Sequence, residues 1–302
     1  GAWLNLALIN AELGRDGQAG EAWRQALQLN PFLALALDGY GGDLALDGQW
    51  DAAARVFRLM TVVDRDNAEA PYRMGIALTR AGRIEAAVNA YREAIRRHPW
   101  NADAYNNLGA LCDRLGWSPE AVQALEHAAL LENEDPEVLC NLGVAYGHHG
   151  RRKDEIAAYR RAIKADPRAL TAYEYLGEAL LESGAVTEAL EVLRSAVALD
   201  TEAGNVLVLL GLACAKAGLA DEAESSFRRA LRARHGGPQA FVRRALVDVL
   251  RQQWVTLREV AEAGIRAGCT DPRLPFFIGL AAAEEGQERA RPELVKASRK
   301  RR

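Results

Sequence analysis

The sequence has few aromatic residues, few prolines and no long apolar run. Aromatic residues make up 7% of the 302 residues and there are 10 prolines, whereas 49% of the residues are hydrophobic. This composition favours helices rich in alanine and leucine over strands. The longest apolar run extends from Val206 to Ala215, which is too short to cross a membrane, and no secretory signal peptide is recognisable. We therefore expect an all-α, cytoplasmic protein without a membrane-inserted segment.

Cysteine and lysine are also scarce. The four cysteines form no C-x-x-C pair, so they indicate neither a zinc site nor a redox motif. We expect them to be reduced and buried as small hydrophobic side chains. Only 5 lysines accompany 33 arginines, and alanine is abundant, a bias that we associate with GC-rich bacterial genomes.

The usual motifs of catalysis are missing from the sequence. It contains no nucleophile elbow, no phosphate-binding glycine loop and no pair of catalytic carboxylates outside the repeat described below. His148 and His149 are adjacent, so on a helix their rings would point about 100° apart and could not hold one metal ion together. The sequence therefore predicts no enzyme activity, no cofactor and no metal site.

Charge is distributed unevenly along the chain. The net charge is −3, but residues 1–227 carry 21 basic and 33 acidic side chains, whereas residues 228–302 carry 17 basic and 8 acidic ones. Such a basic end is typical of solvated helix faces, or alternatively of electrostatic docking to an acidic partner. Because the basic residues lack interleaved aromatic side chains, we do not expect a nucleic-acid partner.

What the sequence does contain is a repeat with a period of 34 residues. One glycine series recurs at that interval in seven places, with Ala7 and Ala245 at the two remaining positions: Gly41, Gly75, Gly109, Gly143, Gly177, Gly211 and Gly279. A second series keeps step with it, and only Gln252 departs from it: Gly14, Gly48, Gly82, Gly116, Gly150, Gly184, Gly218 and Gly286. A fixed period over the whole chain indicates a solenoid, whose usual role is to present a binding surface.

Each repeat predicts two helices, if the first glycine series is numbered position 8. Positions 4, 7, 8 and 11 are mostly apolar or small and lie on one face of a first helix, helix A. The glycine at position 8 is unfavourable in a helix, so its recurrence predicts a close approach by another helix. The glycine at position 15 should end helix A in the left-handed conformation. Small residues at positions 20 and 27 and a large one at position 24 then form the packing face of helix B.

This pattern resembles the tetratricopeptide repeat (TPR) family over essentially the whole chain. The resemblance implies a right-handed superhelix of antiparallel helix pairs, with helix A lining the concave side. It divides the chain into nine units: 1–33, 34–67, 68–101, 102–135, 136–169, 170–203, 204–237, a degenerate unit at 238–271, and 272–302 with a C-terminal capping helix. Because the chain begins at Gly1 inside a repeat, we expect it to be a segment of a longer protein.

Unit eight departs from the pattern. Arg244 and Asp248 fall on core positions 7 and 11, while an apolar set one residue later includes Val242 and Ala245. We therefore expect this helix to be rotated by about one residue, roughly 100°.

In the TPR family, positions 2, 5, 6, 9, 12 and 13 of helix A line the concave groove, and this resemblance defines the candidate site. Asparagines recur at position 6, where a side-chain amide can both donate to and accept from the backbone of an extended peptide. The alternative is that these asparagines are merely solvated. The candidate partner-binding residues in units three to five are Tyr72, Arg73, Asn106, Asn107, Arg114, Asn141 and His148.

The groove is predicted to change character farther along the chain. Unit six contributes the carboxylates Glu174 and Glu178, which favour a cationic partner or are simply a solvated acidic face. Units seven to nine contribute the apolar residues Leu209, Leu212, Phe276 and Phe277. An exposed apolar surface of this kind is typical of an interface, although the phenylalanines could instead belong to the core.

Three functions are compatible with this sequence. The first is a non-catalytic scaffold that binds a protein or peptide along the concave groove. The second is the substrate-recruiting segment of a larger enzyme, because the asparagine series resembles the groove of O-linked N-acetylglucosamine transferases. The third is self-association through the apolar end repeats, so the oligomeric state stays open. Chaperone C-terminal tails are not expected as ligands, since no three consecutive units carry the required lysines and asparagines.

Overall fold

The computed structural model describes residues 1–131, 134–233, 241–242, 244–245, 248, 253–270, 274, 277–278 and 280–282. Over these residues the protein is helical and contains no strand, and consecutive helices pack as pairs. The predicted fold class, an all-α array of helix pairs, is confirmed. The predicted capping helix of unit nine, together with Phe276, lies outside the described residues.

Fifteen helices have bounds within the described residues. The first fourteen form seven pairs whose turns coincide with the second glycine series, and the last is the second helix of unit eight. The helices are α1 (Ala2–Glu12), α2 (Asp16–Leu29), α3 (Leu33–Leu46), α4 (Trp50–Val63), α5 (Glu69–Arg80), α6 (Ile84–Arg97), α7 (Ala102–Arg114), α8 (Ser118–Leu131), α9 (Pro136–His148), α10 (Arg152–Ala165), α11 (Leu170–Glu182), α12 (Val186–Leu199), α13 (Gly204–Lys216), α14 (Ala220–Arg232) and α15 (Trp254–Arg266).

The chain divides into two compact units, Gly1–Arg161 and Ala162–Arg302. In the first unit, each helix A packs on the helix B that follows it, and α4, α6 and α8 pack on the next helix A. In the second unit, α11 packs on α12, α12 on α13 and α13 on α14. Each unit is therefore built from the helix pairs that the 34-residue period predicts.

The turn glycines end helix A as predicted. Gly116 has a φ of 75°, in the left-handed region, and follows the end of α7. Its amide donates to the carbonyl oxygen of Asp113 at 2.9 Å, and the next amide, of Trp117, donates to the carbonyl oxygen of Cys112 at 2.8 Å. This pair of bonds satisfies two carbonyl groups at the helix end that would otherwise lack a partner.

The glycines at position 8 make room for the second helix of their own pair. A β-carbon at Gly75 would lie 2.6 Å from Cε1 of Tyr91, which is closer than packed atoms tolerate. The close approach predicted from the sequence is therefore confirmed, but its partner is mainly the large side chain at position 24. The same contact recurs between Gly41 and Phe57, Gly109 and Leu125, Gly143 and Tyr159, Gly177 and Leu193, and Gly211 and Phe227.

The first helix departs from the expected core. Trp3 and Leu6 occupy positions 4 and 7, yet each is 42% exposed, whereas Leu139 and Leu142 at the same positions of unit five are buried. Among the described helices, α1 packs against α2 and α4 and buries Ala7 and Ala11 there. Among the described helices, none packs on the side of α1 that carries Trp3 and Leu6.

In unit eight, the charged pair and two residues of the apolar set are all buried. Arg244 and Asp248 remain in the core, at 4% and 0% exposure, next to the buried residues Val242 and Ala245. Nη2 of Arg244 lies 3.0 Å from Oδ1 of Asp248 and 3.8 Å from Oε1 of Glu224. The two charged residues lie one helical turn apart and neutralise each other, so they can be buried as a pair.

Candidate functional site

Polar side chains on neighbouring helices A of the first unit pair with each other across adjacent repeats. Nδ2 of Asn141 on α9 donates a hydrogen bond to Oδ1 of Asn106 on α7, at 3.0 Å. Nη1 of Arg73 on α5 likewise donates to Oδ1 of Asp38 on α3 and forms an ion pair with it. Both pairs are separated by 35 residues, so a side chain at position 5 of one repeat contacts the side chain at position 6 of the next.

Asn106 and Asn141 have different roles in this arrangement. Asn106 is only 9% exposed, whereas Asn141 is half-buried. Asn106, a predicted groove residue, is thus covered by the neighbouring repeat, and its oxygen accepts from Asn141. Asn106 holds the amide of Asn141 in one orientation, and Asn141 is the residue of the two that a groove ligand could contact.

Tyr72 and Asn107 form the corresponding pair between the third and fourth repeats. The side chain of Asn107 lies near the Tyr72 hydroxyl and slightly opposes the effect of burial on the pKa of Tyr72. Burial, reinforced by the negative charge of Asp103, raises the pKa of Tyr72 to about 12. The hydroxyl group therefore stays protonated at neutral pH, and both members of the pair are uncharged hydrogen-bonding groups.

A second polar contact lies near the C-terminal ends of α7 and α9. Nδ1 of His148 lies 2.9 Å from both carboxylate oxygens of Asp113, again across 35 residues. The His148 side chain is exposed, and Arg114, the last residue of α7, is exposed as well. The predicted groove residues of repeats three to five thus lie on neighbouring helices within the first compact unit, Gly1–Arg161.

The pairing of these residues was missed by sequence reasoning, although a signal for it exists. Residues at equal positions are 34 apart, so the spacing of 35 shows that each contact is offset by one position along the neighbouring helix. A search for complementary polar residues at that spacing would have found Asp38 with Arg73 and Asn106 with Asn141. The contact between repeats, which decides the offset, is a feature of tertiary packing.

An apolar pocket lies between α3, α4 and α5, on the same side as the paired residues. Its volume is about 390 Å³, and its lining consists mainly of apolar groups with one cation, Arg73. We call it the apolar pocket and define it by Gly42, Ala45, Leu46, Phe57, Arg73 and Ile76. Apart from Arg73, none of these residues was among the predicted site residues.

A larger cavity of about 680 Å³ lies among α1, α4, α5 and the start of α6. Arginines and acidic residues line it in equal number, for example Arg83 and Asp51, whose Nη2 and Oδ1 atoms are 3.4 Å apart. The mixed lining gives this cavity no net preference for a cation or an anion.

The predicted residues of the second unit are more buried than the sequence suggests. Phe277 is 4% exposed and packs in a core cluster with Val242, Ala245 and Leu257. Leu209 is buried as well, whereas Leu212 and the carboxylates Glu174 and Glu178 are half-buried. Of the two interpretations of Phe277, the structure supports the core, because the residue fills the space between neighbouring helices.

The described residues contain little that resembles a reaction centre. All four cysteines are free and buried, as predicted, and burial raises the pKa of the Cys112 and Cys140 thiols to about 11. No group of three His, Cys, Asp or Glu side chains in the described part of the chain is placed to hold a metal ion. None of the described helices is both long enough and apolar enough to span a membrane.

Comparison with protein families identifies the repeat. A model described as "Tetratricopeptide repeat" matches residues 140–204, and another with the same description matches residues 1–32 and 102–135. A third, described as "TPR repeat", matches residues 75–116. Together these matches cover more than half of the chain. A search of curated proteins found no match.

Solved structures share the fold at low sequence identity. MamA from Desulfovibrio magneticus RS-1 is 21% identical, with a TM-score of 0.53 over 56% of this chain and 96% of MamA. YrrB, described as a TPR protein with an unusual peptide-binding site, is 21% identical, with a TM-score of 0.52 over 63% of this chain and 97% of YrrB. PilF from Pseudomonas aeruginosa is 17% identical, with a TM-score of 0.59 over 73% of this chain and 99% of PilF.

Proposed function

The chain belongs to the tetratricopeptide repeat family and is a protein–protein interaction scaffold, and on this premise we propose that it binds an extended peptide segment of a partner protein. The segment would lie along the paired side chains of the first unit and contact Tyr72, Arg73, Asn107 and Asn141. Such binding requires no catalytic group, and we propose that the chain is not an enzyme.

The observation that carries this proposal is the fixed orientation of Asn141. Its amide group has two donor hydrogens and one acceptor oxygen, and the bond to Asn106 uses one donor hydrogen. The remaining groups can bind the main chain of a peptide without reading its sequence. Because Asn106 already orders the amide, a ligand loses less side-chain entropy on binding than it would with a freely rotating asparagine.

Charged residues extend the proposed site at its edge. His148 and Arg114 are exposed near the ends of α9 and α7, so the side chains of a bound segment could contact them. In the second unit, we propose Glu174, Glu178 and Leu212 as a separate contact surface of that unit and leave out Leu209 and Phe277, which are buried. The self-association predicted through the apolar end repeats loses support for the same reason.

Replacing Asn107 and Asn141 together by alanine is expected to weaken partner binding at least about tenfold. Each substitution removes a hydrogen-bonding group worth about 1 kcal/mol, and 1.4 kcal/mol corresponds to a factor of ten in affinity. The measurement is quantitative affinity capture from the native lysate with the wild-type chain and the double variant, followed by titration of each captured protein.

Asn89→Ala is the matched control, because Asn89 is an exposed asparagine on the second helix of its pair, α6. This variant should capture the same proteins as the wild-type chain. Circular dichroism must show equal helix content for all three proteins. Equal affinity of the double variant and the wild-type chain for every captured protein would remove this face from the proposed function.

A further inference from the structure

The apolar pocket depends on a glycine that the repeat does not require. Gly42 occupies position 9, next to the packing glycine Gly41, and the same position carries leucine, isoleucine, alanine, valine or glutamate in the other units. A β-carbon at Gly42 would meet only one atom within 4 Å, Nη2 of Arg73 at 3.3 Å, which is the end of a flexible side chain. Glycine is unfavourable inside a helix, and no helix packs against Gly42 closely enough to explain it. What the glycine provides is open space in the pocket wall.

Position 12 of the second repeat, which lies three residues after Gly42, also contributes to the open space of the pocket. Between the fourth and fifth repeats, Asp113 at position 12 pairs with His148 and occupies the space between the helices. The equivalent residue of the second repeat is Ala45, which has no polar group to form this contact and is too short to fill the gap. The pocket therefore lies where the polar contact between repeats is replaced by small residues.

The electrostatics of the pocket select against a charged occupant. Arg73 forms an ion pair with Asp38, and its guanidinium lies over the ring of Phe57, 4.7 Å from the ring centroid. The cation is thus neutralised by Asp38 on one side and placed against an aromatic ring on the other. The remaining lining is apolar, so a charged side chain would find no partner of opposite charge there, whereas an apolar side chain would bury apolar surface.

The pocket is large enough to admit a bulky side chain of a larger ligand. Its volume of about 390 Å³ lies at the lower end of the range of small-molecule sites, about 300 to 1,000 Å³. Arg73, at one side of the pocket, also occupies position 6, which Asn107 and Asn141 hold in the next two repeats. A segment that follows these position 6 residues would therefore pass the pocket opening.

We propose that the apolar pocket between α3, α4 and α5 binds one uncharged, bulky apolar side chain, aromatic or branched, of the peptide that lies along the first unit. This inference rests on the proposed function and adds a sequence requirement to it. The paired amides bind any peptide main chain, whereas the pocket selects a segment with an apolar anchor at one position.

The test uses a probe of the pocket alone, the neutral amide N-acetyl-para-fluoro-phenylalaninamide, observed by fluorine NMR with the whole chain. The wild-type chain should broaden and shift the probe signal in a saturable way. Gly42→Leu should lower the affinity at least about tenfold, because its side chain fills the pocket. Gly39→Ala is the matched control, since a β-carbon at Gly39 in the same helix would meet no atom within 4 Å, and it should bind as the wild-type chain does.

Two further arms complete the test. Ala45→Leu places a larger side chain in the pocket from another position on the same helix and should also lower the affinity at least about tenfold, so that one poorly folded variant does not decide the outcome. Para-carboxy and para-aminomethyl analogues of the probe should fail to compete. Three results would contradict the pocket proposal. The first is that the wild-type chain shows no saturable binding of the probe. The second is that both filled variants bind the probe as tightly as the wild-type chain does, and the third is that the charged analogues compete as well as the neutral probe. None of these outcomes involves the partner protein. The proposed peptide binding along the first unit is therefore tested separately, by the double variant of Asn107 and Asn141.

Discussion

Asp248→Ala is expected to destabilise the second unit by about 3–5 kcal/mol. The substitution leaves the guanidinium of Arg244 buried, at 4% exposure, without the carboxylate whose Oδ1 atom lies 3.0 Å from Nη2. The other carboxylate near the guanidinium, that of Glu224, lies farther from Nη2, at 3.8 Å, so the buried charge retains its desolvation cost and loses most of the compensating attraction. The measurement is urea unfolding followed by circular dichroism, with the transition of the wild-type chain as reference.

The double variant Arg244→Met with Asp248→Leu separates charge from packing. It removes both charges and keeps apolar volume in the core, so we expect it to cost far less than Asp248→Ala alone. The exposed pair of Arg266 and Glu262 is the control, because these residues are also four apart on a helix of the second unit and their Nη1 and Oε2 atoms are 3.6 Å apart. Arg266→Ala should cost at most about 0.5 kcal/mol. An equally small cost for Asp248→Ala would mean that the buried pair does not stabilise the unit.

Gly75→Ala is expected to destabilise the first unit by about 2 kcal/mol, although alanine is the better helix former. The new β-carbon would lie 2.6 Å from Cε1 and 2.7 Å from Cδ1 of Tyr91, whose ring is buried. Displacing a packed side chain costs about 1–3 kcal/mol, which exceeds the gain in helix propensity of about 1 kcal/mol. Thermal unfolding of the whole chain measures the difference.

Gly39→Ala is the same type of substitution, but we expect it to stabilise the protein. Gly39 lies inside α3, and a β-carbon there would meet no atom within 4 Å, so only the gain in helix propensity remains. This variant should be up to about 1 kcal/mol more stable than the wild-type chain. If Gly75→Ala were stabilised to the same degree, the packing explanation of the recurring glycine would be wrong.

The helix pairs were predictable because their causes are local. A glycine at position 15 ends a helix wherever the chain enters the left-handed region, and Gly116 does so with a φ of 75°. The spacing of apolar residues decides which side chains share a helix face, and Gly75 faces Tyr91 because both belong to the same pair. The repeat in the sequence was therefore sufficient for the fold class.

The candidate site was predictable only in part, because its details depend on contacts between repeats. Asn106 and Asn107 are adjacent in sequence and equally polar, yet Asn106 is covered by the neighbouring repeat while Asn107 is half-buried. The polarity of a residue does not show which neighbour will pack over it. The same limit explains Arg244 and Asp248, whose burial follows from their pairing rather than from their individual charge.

For this protein, the sequence alone determined the period, the helix pairs, the turns and the likeness to tetratricopeptide repeats, because each of these follows from backbone preferences and from spacing along one helix. Only the tertiary structure decided which polar residues pair at a spacing of 35 residues, that Phe277 belongs to the core, and that Gly42 opens an apolar pocket. The physical reason is that these features depend on how helices of different repeats are offset and packed, which the spacing within one repeat does not specify.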